Sequence, residues 1–170
     1  INLTDQNVGP ILRKCVSVKS KIETTIRRCV EHLSANHNVT MIPEVLEIFL
    51  YVCEEKMIDL IELLSKHIVK HIGRFWDDVK FLETSGHTME LLLRHGRSEC
   101  ENEDALVAAL IRWEKNYTYS RNEREEYFNE LLKMIDVTKL SPDCATYLKN
   151  AYQWFRPLDR DASEIPANEN

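Results

Sequence analysis

Glycine and proline are scarce in this chain: 170 residues contain only four Gly and five Pro. The tight hairpin turns of a β protein depend heavily on glycine, whereas long helices need none, so this composition disfavours a fold rich in strands. The 44% apolar and 29% charged residues are ordinary for a globular protein and do not suggest disorder. We therefore predict an all-α fold.

Paired cysteine motifs and long apolar runs are also missing. The five cysteines are an odd number, form no CxxC pair, and several fall on the apolar stripes of predicted helices: Cys15, Cys29, Cys53, Cys100 and Cys144. A reduced thiol packs there as a small hydrophobe, which predicts a cytoplasmic or nuclear protein. No apolar run approaches the roughly 20 residues that a membrane-spanning helix needs, so we expect no membrane partner.

An excess of positive charge is lacking as well. The net charge of −6 argues against a general nucleic-acid binder, which needs a clustered basic face. The charge is uneven, because residues 1–35 hold six Lys/Arg against three acids and the remainder carries −9. This basic stretch could dock on an acidic partner, but a solvated helix surface is the simpler interpretation.

The periodicity of apolar residues predicts stacked antiparallel helical pairs. Residues 7–35 show i, i+3, i+4, i+7 spacing with a break near residues 17–20, as expected for two helices. The pattern repeats at an offset of 38, which pairs Leu12 with Leu50, Cys15 with Cys53, Ile22 with Leu60, Ile26 with Leu64 and Val30 with Ile68. Repeats of this length built from two helices stack so that each pair buries the face that its neighbour leaves open.

The helix predicted over residues 43–56 has almost no polar side. Its apolar residues cover most of the circumference, as a surface helix could not: Val45, Leu46, Ile48, Phe49, Leu50, Val52 and Cys53. The helix therefore either lies in the centre of the fold or keeps an apolar face exposed for a binding partner. Central packing needs no further assumption.

Further helices are predicted along the rest of the chain. The first runs from about Ile58 to Ile72, and others follow over residues 77–84, 88–94, 103–113, 122–135 and 142–154. Asn102 or a neighbour can cap the helix through Trp113. After Pro157 the chain is polar and aperiodic, which predicts a linker or frayed tail over residues 158–170.

The order of several apolar and polar segments resembles the BACK domain, the helical module that follows the BTB domain in adaptors of cullin-RING ubiquitin ligases. The resemblance runs from about Met41 to Leu148. It is carried by the run Leu60-Ile61-Glu62-Leu63-Leu64, by Phe75, Val79, Phe81-Leu82, Ser85, Met89 and Leu91-Leu92-Leu93, by the segment from Glu103 to Trp113, and by Arg124, Leu131-Leu132 and Leu140-Ser141-Pro142.

Residues 7–36 resemble the last helical pair of a BTB domain. We therefore expect a BTB-like segment over 1–37, a BACK-like domain over 38–157 and a tail over 158–170. Because the three-stranded front of a BTB domain is absent and the chain opens in the middle of the pattern at Ile1, the chain is expected to be a fragment of a longer adaptor.

The resemblance implies a function without catalysis. In the family the BTB part forms a homodimer and binds the cullin, the first BACK helical pair extends that groove, and the remainder holds a substrate-recognition domain at a set distance from the ligase. The resemblance thus implies a cullin and a substrate protein as partners and no cofactor. We expect the cullin groove to use an apolar surface that remains partly exposed: Met41, Ile42, Val45, Leu46 and Phe49. The alternative is an oligomerisation or transcription-linked scaffold that binds no cullin.

Two positions depart from the family pattern. Asp136 lies where the family often has Arg, which puts a family ion pair in doubt. Val52 replaces a small Ala and predicts a looser helix contact.

No catalytic signature stands out. His67 and His71 have the i, i+4 spacing that can place two imidazoles on one metal, but further ligands are missing and solvent-exposed histidines are the favoured interpretation. Cys144 begins a helix and is the best candidate for a nucleophile. The adjacent Asp143 disfavours its thiolate, so we expect a structural cysteine.

Overall fold

A computed structural model describes residues 2–4, 6–17, 22–35, 42–116 and 121–152, apart from the side chains of residues 13, 16, 17, 22, 34, 42 and 121–123. Over these ranges the chain forms α-helices and three short 3-10 turns, and it contains no strand. The helices are α1 Val8–Ser17, α2 Ile22–Ala35, α3 Ile42–Glu54, α4 Ile58–Lys70, α5 Val79–Leu82, α6 Gly86–Gly96, α7 Glu103–Lys115, α8 Arg121–Leu132 and α9 Pro142–Ala151. The predicted all-α class is confirmed.

The first four helices form two stacked pairs. Helix α1 packs on α2 and α3 on α4, while α1 also contacts α3 and α2 contacts α4. The equivalences predicted at an offset of 38 hold on the second helix of each pair, since Ile26, Leu64, Val30 and Ile68 are all buried. A continuous core results, because each pair covers the apolar face of the other.

Helix α3 is central, as its all-round apolar surface suggested. Val45, Leu46, Ile48, Phe49 and Val52 are each at most 2% exposed. Helices α1, α4 and α5 pack against α3 and enclose it. Central packing is therefore confirmed for this helix, including at Val52, where the larger side chain is fully buried.

Helix α4 makes its most extensive contact with α6. The two backbones approach closely where Gly96, the last residue of α6, lies against Ser65 of α4. A Cβ at Gly96 would lie 2.7 Å from the Ser65 carbonyl carbon and 2.7 Å from Val69 Cγ2. Glycine is required at this crossing because every other side chain would push the helices apart.

Capping side chains explain where several helices begin. Asp78 accepts a hydrogen bond from the Lys80 N–H at 2.8 Å, so α5 starts later than the helix predicted from residue 77. Ser85 accepts from the Thr88 N–H, so α6 starts at Gly86, earlier than predicted. The predicted cap at Asn102 is confirmed, since its Oδ1 accepts from an α7 N–H at 2.9 Å.

The last two helices are close to their predicted bounds. Helix α8 ends at Leu132, three residues earlier than predicted, and a 3-10 turn over Val137–Lys139 leads to α9. Helix α9 ends at Ala151, three residues before the predicted end at Trp154, and the predicted tail lies outside the described residues. Within the described ranges, no helix has the length and apolar character needed to cross a membrane.

Candidate protein-interaction site

The predicted partner-binding surface is largely enclosed. Val45, Leu46 and Phe49 are 2%, 2% and 1% exposed, so the part of the predicted surface expected to remain exposed does not include them. The physical reason is that α1, α4 and α5 cover the apolar sides of α3. Met41 and the side chain of Ile42 lie outside the described residues, and partner contact through them stays a prediction.

Ile58 is the exposed apolar feature of the α3–α4 pair. It begins α4 and is 54% exposed. Beside it, Asp59 accepts a hydrogen bond from Arg27 of α2 at 3.3 Å, and Arg27 also lies 3.7 Å from Glu23. Because Arg27 is shared between two acids of this chain, the simpler interpretation of the basic stretch as a solvated surface is favoured there.

Trp113 and Arg124 hold the backbones of α5, α7 and α8 together. Trp113 is fully buried, and its indole Nε1 donates to the Thr84 carbonyl at 2.7 Å. The Arg124 guanidinium of α8 lies 4.9 Å from the centre of the Trp113 ring. It also donates to the Trp113 carbonyl and, at 2.8 Å, to those of Asn116 and Leu82. Trp113 shares an apolar stripe with Leu106 and Leu110, which predicts that it is buried, and the structure confirms this, with Arg124 of α8 lying against its ring.

Asp104 of α7 positions the start of α9. Its Oδ1 accepts from the Ser141 N–H at 3.0 Å, and Ser141 in turn caps α9 by accepting from the Cys144 N–H. Hydrogen bonds from the Ser141 side chain and backbone hold the pKa of Asp104 below its ordinary value. This carboxylate thus fixes the position of α9 relative to α7.

Cys144 is held in its thiol form. Burial raises its pKa to about 11, with further contributions from the charge of Asp104 and from a hydrogen bond to that carboxylate. Asp104, rather than the neighbouring Asp143, is the acid that disfavours the thiolate. A nucleophilic cysteine needs the opposite shift of pKa, so this environment favours the structural role.

A buried ion pair joins the α6–α7 connection to the end of α8. Arg97 pairs with Glu103, whose side chain is 1% exposed, and its Nε donates to the Met134 carbonyl at 2.9 Å. Burial raises the pKa of Glu103, while Arg97 opposes that shift. Asp136 lies 3.8 Å from Lys139.

His67 of α4 is buried, so the predicted solvent exposure is wrong for it, whereas His71, the C-cap residue of α4, is half-buried. His67 is only 9% exposed because its ring packs against His71 at 5.1 Å between centroids and against Phe75 at 6.5 Å. In the ranges that the structure covers, no group of three or more His, Cys, Asp or Glu could hold a metal ion.

One surface cluster was not identified from the sequence. The Arg112 guanidinium lies 4.5 Å from the centre of the Trp76 ring and pairs with Asp77, which accepts a hydrogen bond from the Trp76 indole at 3.0 Å. Val79 follows and is 63% exposed. The signal in the sequence is an aromatic residue set between charges, Arg74-Phe75-Trp76-Asp77, but only the fold brings Arg112 to it.

A protein-family model, BACK (BTB And C-terminal Kelch), matches residues 45–153, from within α3 to just past α9. Searches of curated proteins and of solved structures found no match. The family model agrees with the resemblance noted between Met41 and Leu148 and covers more than half of the chain. This chain belongs to the BACK domain family.

Proposed function

We propose that this chain is the non-enzymatic protein-interaction module of a substrate adaptor for a cullin-RING E3 ubiquitin ligase. The observation that carries the proposal is the family match over residues 45–153, which includes nearly all of α3 to α9. Family members are non-catalytic adaptor modules. We place the module in the cytoplasm or nucleus and assign it no cofactor.

The module would act as a spacer that orients a substrate-recognition region. A spacer is useful only if its helices keep constant relative positions, and three buried or half-buried polar contacts serve this purpose here. They are the Arg124 bonds to three carbonyls, the Asp104 bond to Ser141 and the Arg97 bridge to Glu103. Hydrogen bonds that involve a charged group are about twice as strong as neutral ones and impose a defined geometry.

The cullin contact would lie along the first BACK pair, α3 and α4. Val45, Leu46 and Phe49 cannot touch a partner while they are buried, so their role would be to hold α3 in place. The contact residues are then Met41 and Ile42 at the start of α3. A partner that also meets the exposed Ile58 would have to extend along the pair, because Ile58 begins α4 beside the other end of the 13-residue α3, about 18 Å away. Isolated apolar groups at a module boundary are suited to a partner helix that supplies the remaining apolar surface.

A binding experiment on the longer protein would test this proposal. Ile42→Glu and Ile58→Glu should each reduce cullin capture about tenfold or more, since a charge would enter an apolar contact. Val79→Glu, which places the same charge on an exposed residue of α5, is the matched control and should bind like the parent. Circular dichroism would establish that all three variants are folded. Undiminished cullin binding by both Ile variants would contradict the groove assignment.

The second candidate is an oligomerisation or transcription-linked scaffold that binds no cullin. The burial of Val45, Leu46 and Phe49 favours it, because the apolar surplus of α3 is used within the fold. Light scattering of the longer protein with and without a cullin separates the two functions. A homodimer that captures cullin supports the adaptor, and an oligomer that captures none supports the scaffold.

A further inference from the structure

Ser98 has an exposed hydroxyl group that neither caps a helix nor bonds within the described part of the fold. It is the middle residue of the 3-10 turn Arg97–Glu99, between α6 and α7. Among the described residues its hydroxyl has no hydrogen-bond partner, whereas Ser85 and Ser141 cap helices and Thr84 donates to the Lys80 carbonyl. The Ser98 oxygen is therefore free to react without loss of a cap.

Two acids follow Ser98 at the first and third positions after it. They are Glu99 and Glu101, and no other Ser or Thr in the sequence has acids at both positions. The side chain of Glu101 is 70% exposed, and its pairing with Lys70 is a surface contact at 3.4 Å. Exposed ion pairs of this kind are weak, so a basic group of a partner can replace Lys70 beside Glu101 at little cost in free energy.

The basic residue before Ser98 points away from this surface. The Arg97 side chain is only 20% exposed because it pairs with buried Glu103 and donates to the Met134 carbonyl. The nearest exposed arginine, Arg94, is paired with Glu90 on its own helix. Lys66 and Lys70 of α4 lie near Glu99 and Glu101, but Lys66 is already paired with Glu62 and the Lys70 contact is an exposed one. The two carboxylates therefore stay available to a basic cleft.

After the 3-10 turn the backbone is extended at Cys100 and at Asn102, with a bend at Glu101 between them. Cys100 has φ −70° and ψ 110°, and Asn102 has φ −135° and ψ 97°. The buried Cys100 anchors the segment, while Ser98 and Glu101 face solvent. With Ser98 and Glu101 pointing outward, this short segment can lie along a cleft once the 3-10 turn and the bend at Glu101 open.

We propose that Ser98 is the phosphoacceptor of a serine/threonine protein kinase that recognises acidic residues after its target. In the transfer, the Ser98 oxygen bonds to the γ-phosphorus of ATP, the bond from that phosphorus to the β–γ bridging oxygen breaks, and ADP leaves. The hydroxyl proton passes to the catalytic aspartate of the kinase. The product adds about 1.5 to 2 negative charges to the connection between α6 and α7.

The test uses the folded 170-residue chain, Mg-ATP and an acid-directed kinase of the casein-kinase type. Mass spectrometry should place the phosphate on Ser98, and Ser98→Ala should abolish the incorporation at that site. The double variant Glu99→Gln/Glu101→Gln should lower kcat/KM about tenfold through the loss of two charge contacts with the kinase. The matched control is Glu125→Gln/Glu126→Gln, which removes two exposed acids of α8 and should leave the rate unchanged.

Three results would overturn the proposal. The first is no phosphate on Ser98 in the folded chain, shown to be folded by circular dichroism. The second is an unchanged rate in the Glu99→Gln/Glu101→Gln variant. The third is modification of Ser98 at an equal rate by a kinase that selects basic residues, because the acids would then have no part in recognition.

Discussion

Trp113 shows how one buried side chain connects several backbone segments. Its indole bonds to the Thr84 carbonyl, and its ring lies beneath the Arg124 guanidinium. The apolar periodicity of α7 predicted the burial of Trp113, since it shares a stripe with Leu106 and Leu110. It did not predict either polar partner, because Thr84 and Arg124 are brought to the ring only by packing of α5 and α8.

Replacing Trp113 with Ala should destabilise the protein by about 3–5 kcal/mol, because a large cavity opens and the Thr84 carbonyl loses its donor. Trp113→Phe keeps most of the contacts and should cost clearly less. Urea unfolding followed by circular dichroism measures both free energies of unfolding. A loss below about 1 kcal/mol for the Ala variant would contradict the buried position.

The pairing of Asp104 with Cys144 predicts a pH-dependent thiol. With a pKa of about 11, only about one thiol in a thousand is ionised at pH 8, so alkylation by iodoacetamide should be slow and should rise steeply toward pH 11. Asp104→Asn removes the charge that disfavours the thiolate, which should lower the pKa of Cys144 and speed its alkylation several-fold. Peptide mass spectrometry gives the rate at each cysteine.

Cys53 supplies the internal control for that experiment. Its pKa is raised to about 12, first by burial and then by the charge of Glu54, so Asp104→Asn should not change its alkylation rate. Equal acceleration at Cys53 and Cys144 would indicate loosening of the whole fold and would contradict a specific effect of Asp104.

At the scale of helices, the crossing of α4 and α6 depends on Gly96. Gly96→Ala should lower the free energy of unfolding by at least about 1–3 kcal/mol, because the new methyl group would overlap the Ser65 backbone. Gly73→Ala is the matched control, since its Cβ would meet only the Trp76 ring at 3.9 Å and its φ is not positive. That variant should remain within about 1 kcal/mol of the parent. Thermal melts of both proteins check the difference.

Helix bounds followed the sequence where a capping residue was recognised and departed from it elsewhere. Asn102 caps α7 as predicted. The first residues of α5 and α6 differ from the prediction because Asp78 and Ser85 cap these helices, and apolar periodicity cannot reveal a cap. Caps act through one hydrogen bond to the backbone, and several nearby polar residues can each form it.

At the scale of the whole molecule, the core crosses the predicted boundary between the BTB-like segment 1–37 and the BACK-like domain. Buried residues from Val8 on α1 to Leu148 on α9 belong to one hydrophobic cluster. Helix α1 contacts α3, and Arg27 of α2 bonds to Asp59 of α4. The predicted boundary therefore does not coincide with a break in packing.

A chain that begins at residue 38 should be markedly less stable than the full chain. Removal of α1 and α2 would expose apolar faces of α3 and α4 to water, with a cost proportional to the apolar area uncovered. We expect a lower urea midpoint and concentration-dependent association in size-exclusion chromatography. Equal midpoints for the shortened and the full chain would instead establish residues 38–170 as an autonomous unit.

The sequence alone determined the helical class and the pairing of α1–α4, and it favoured a central position for α3 without deciding it. These follow from the spacing of apolar residues, which reflects the geometry of one helix and is therefore local. The order of the residues that carry the BACK resemblance, from Leu60 to Pro142, was also enough to identify the family.

Tertiary structure decided which surfaces are available to partners. The sequence showed that Val45, Leu46 and Phe49 are apolar but not that α1, α4 and α5 cover them. Likewise, it could not show that Arg112 reaches Trp76 or that Asp104, and not the adjacent Asp143, lies beside Cys144. Contacts between residues distant along the chain depend on how the helices cross, and helix crossing is set by packing of the whole core.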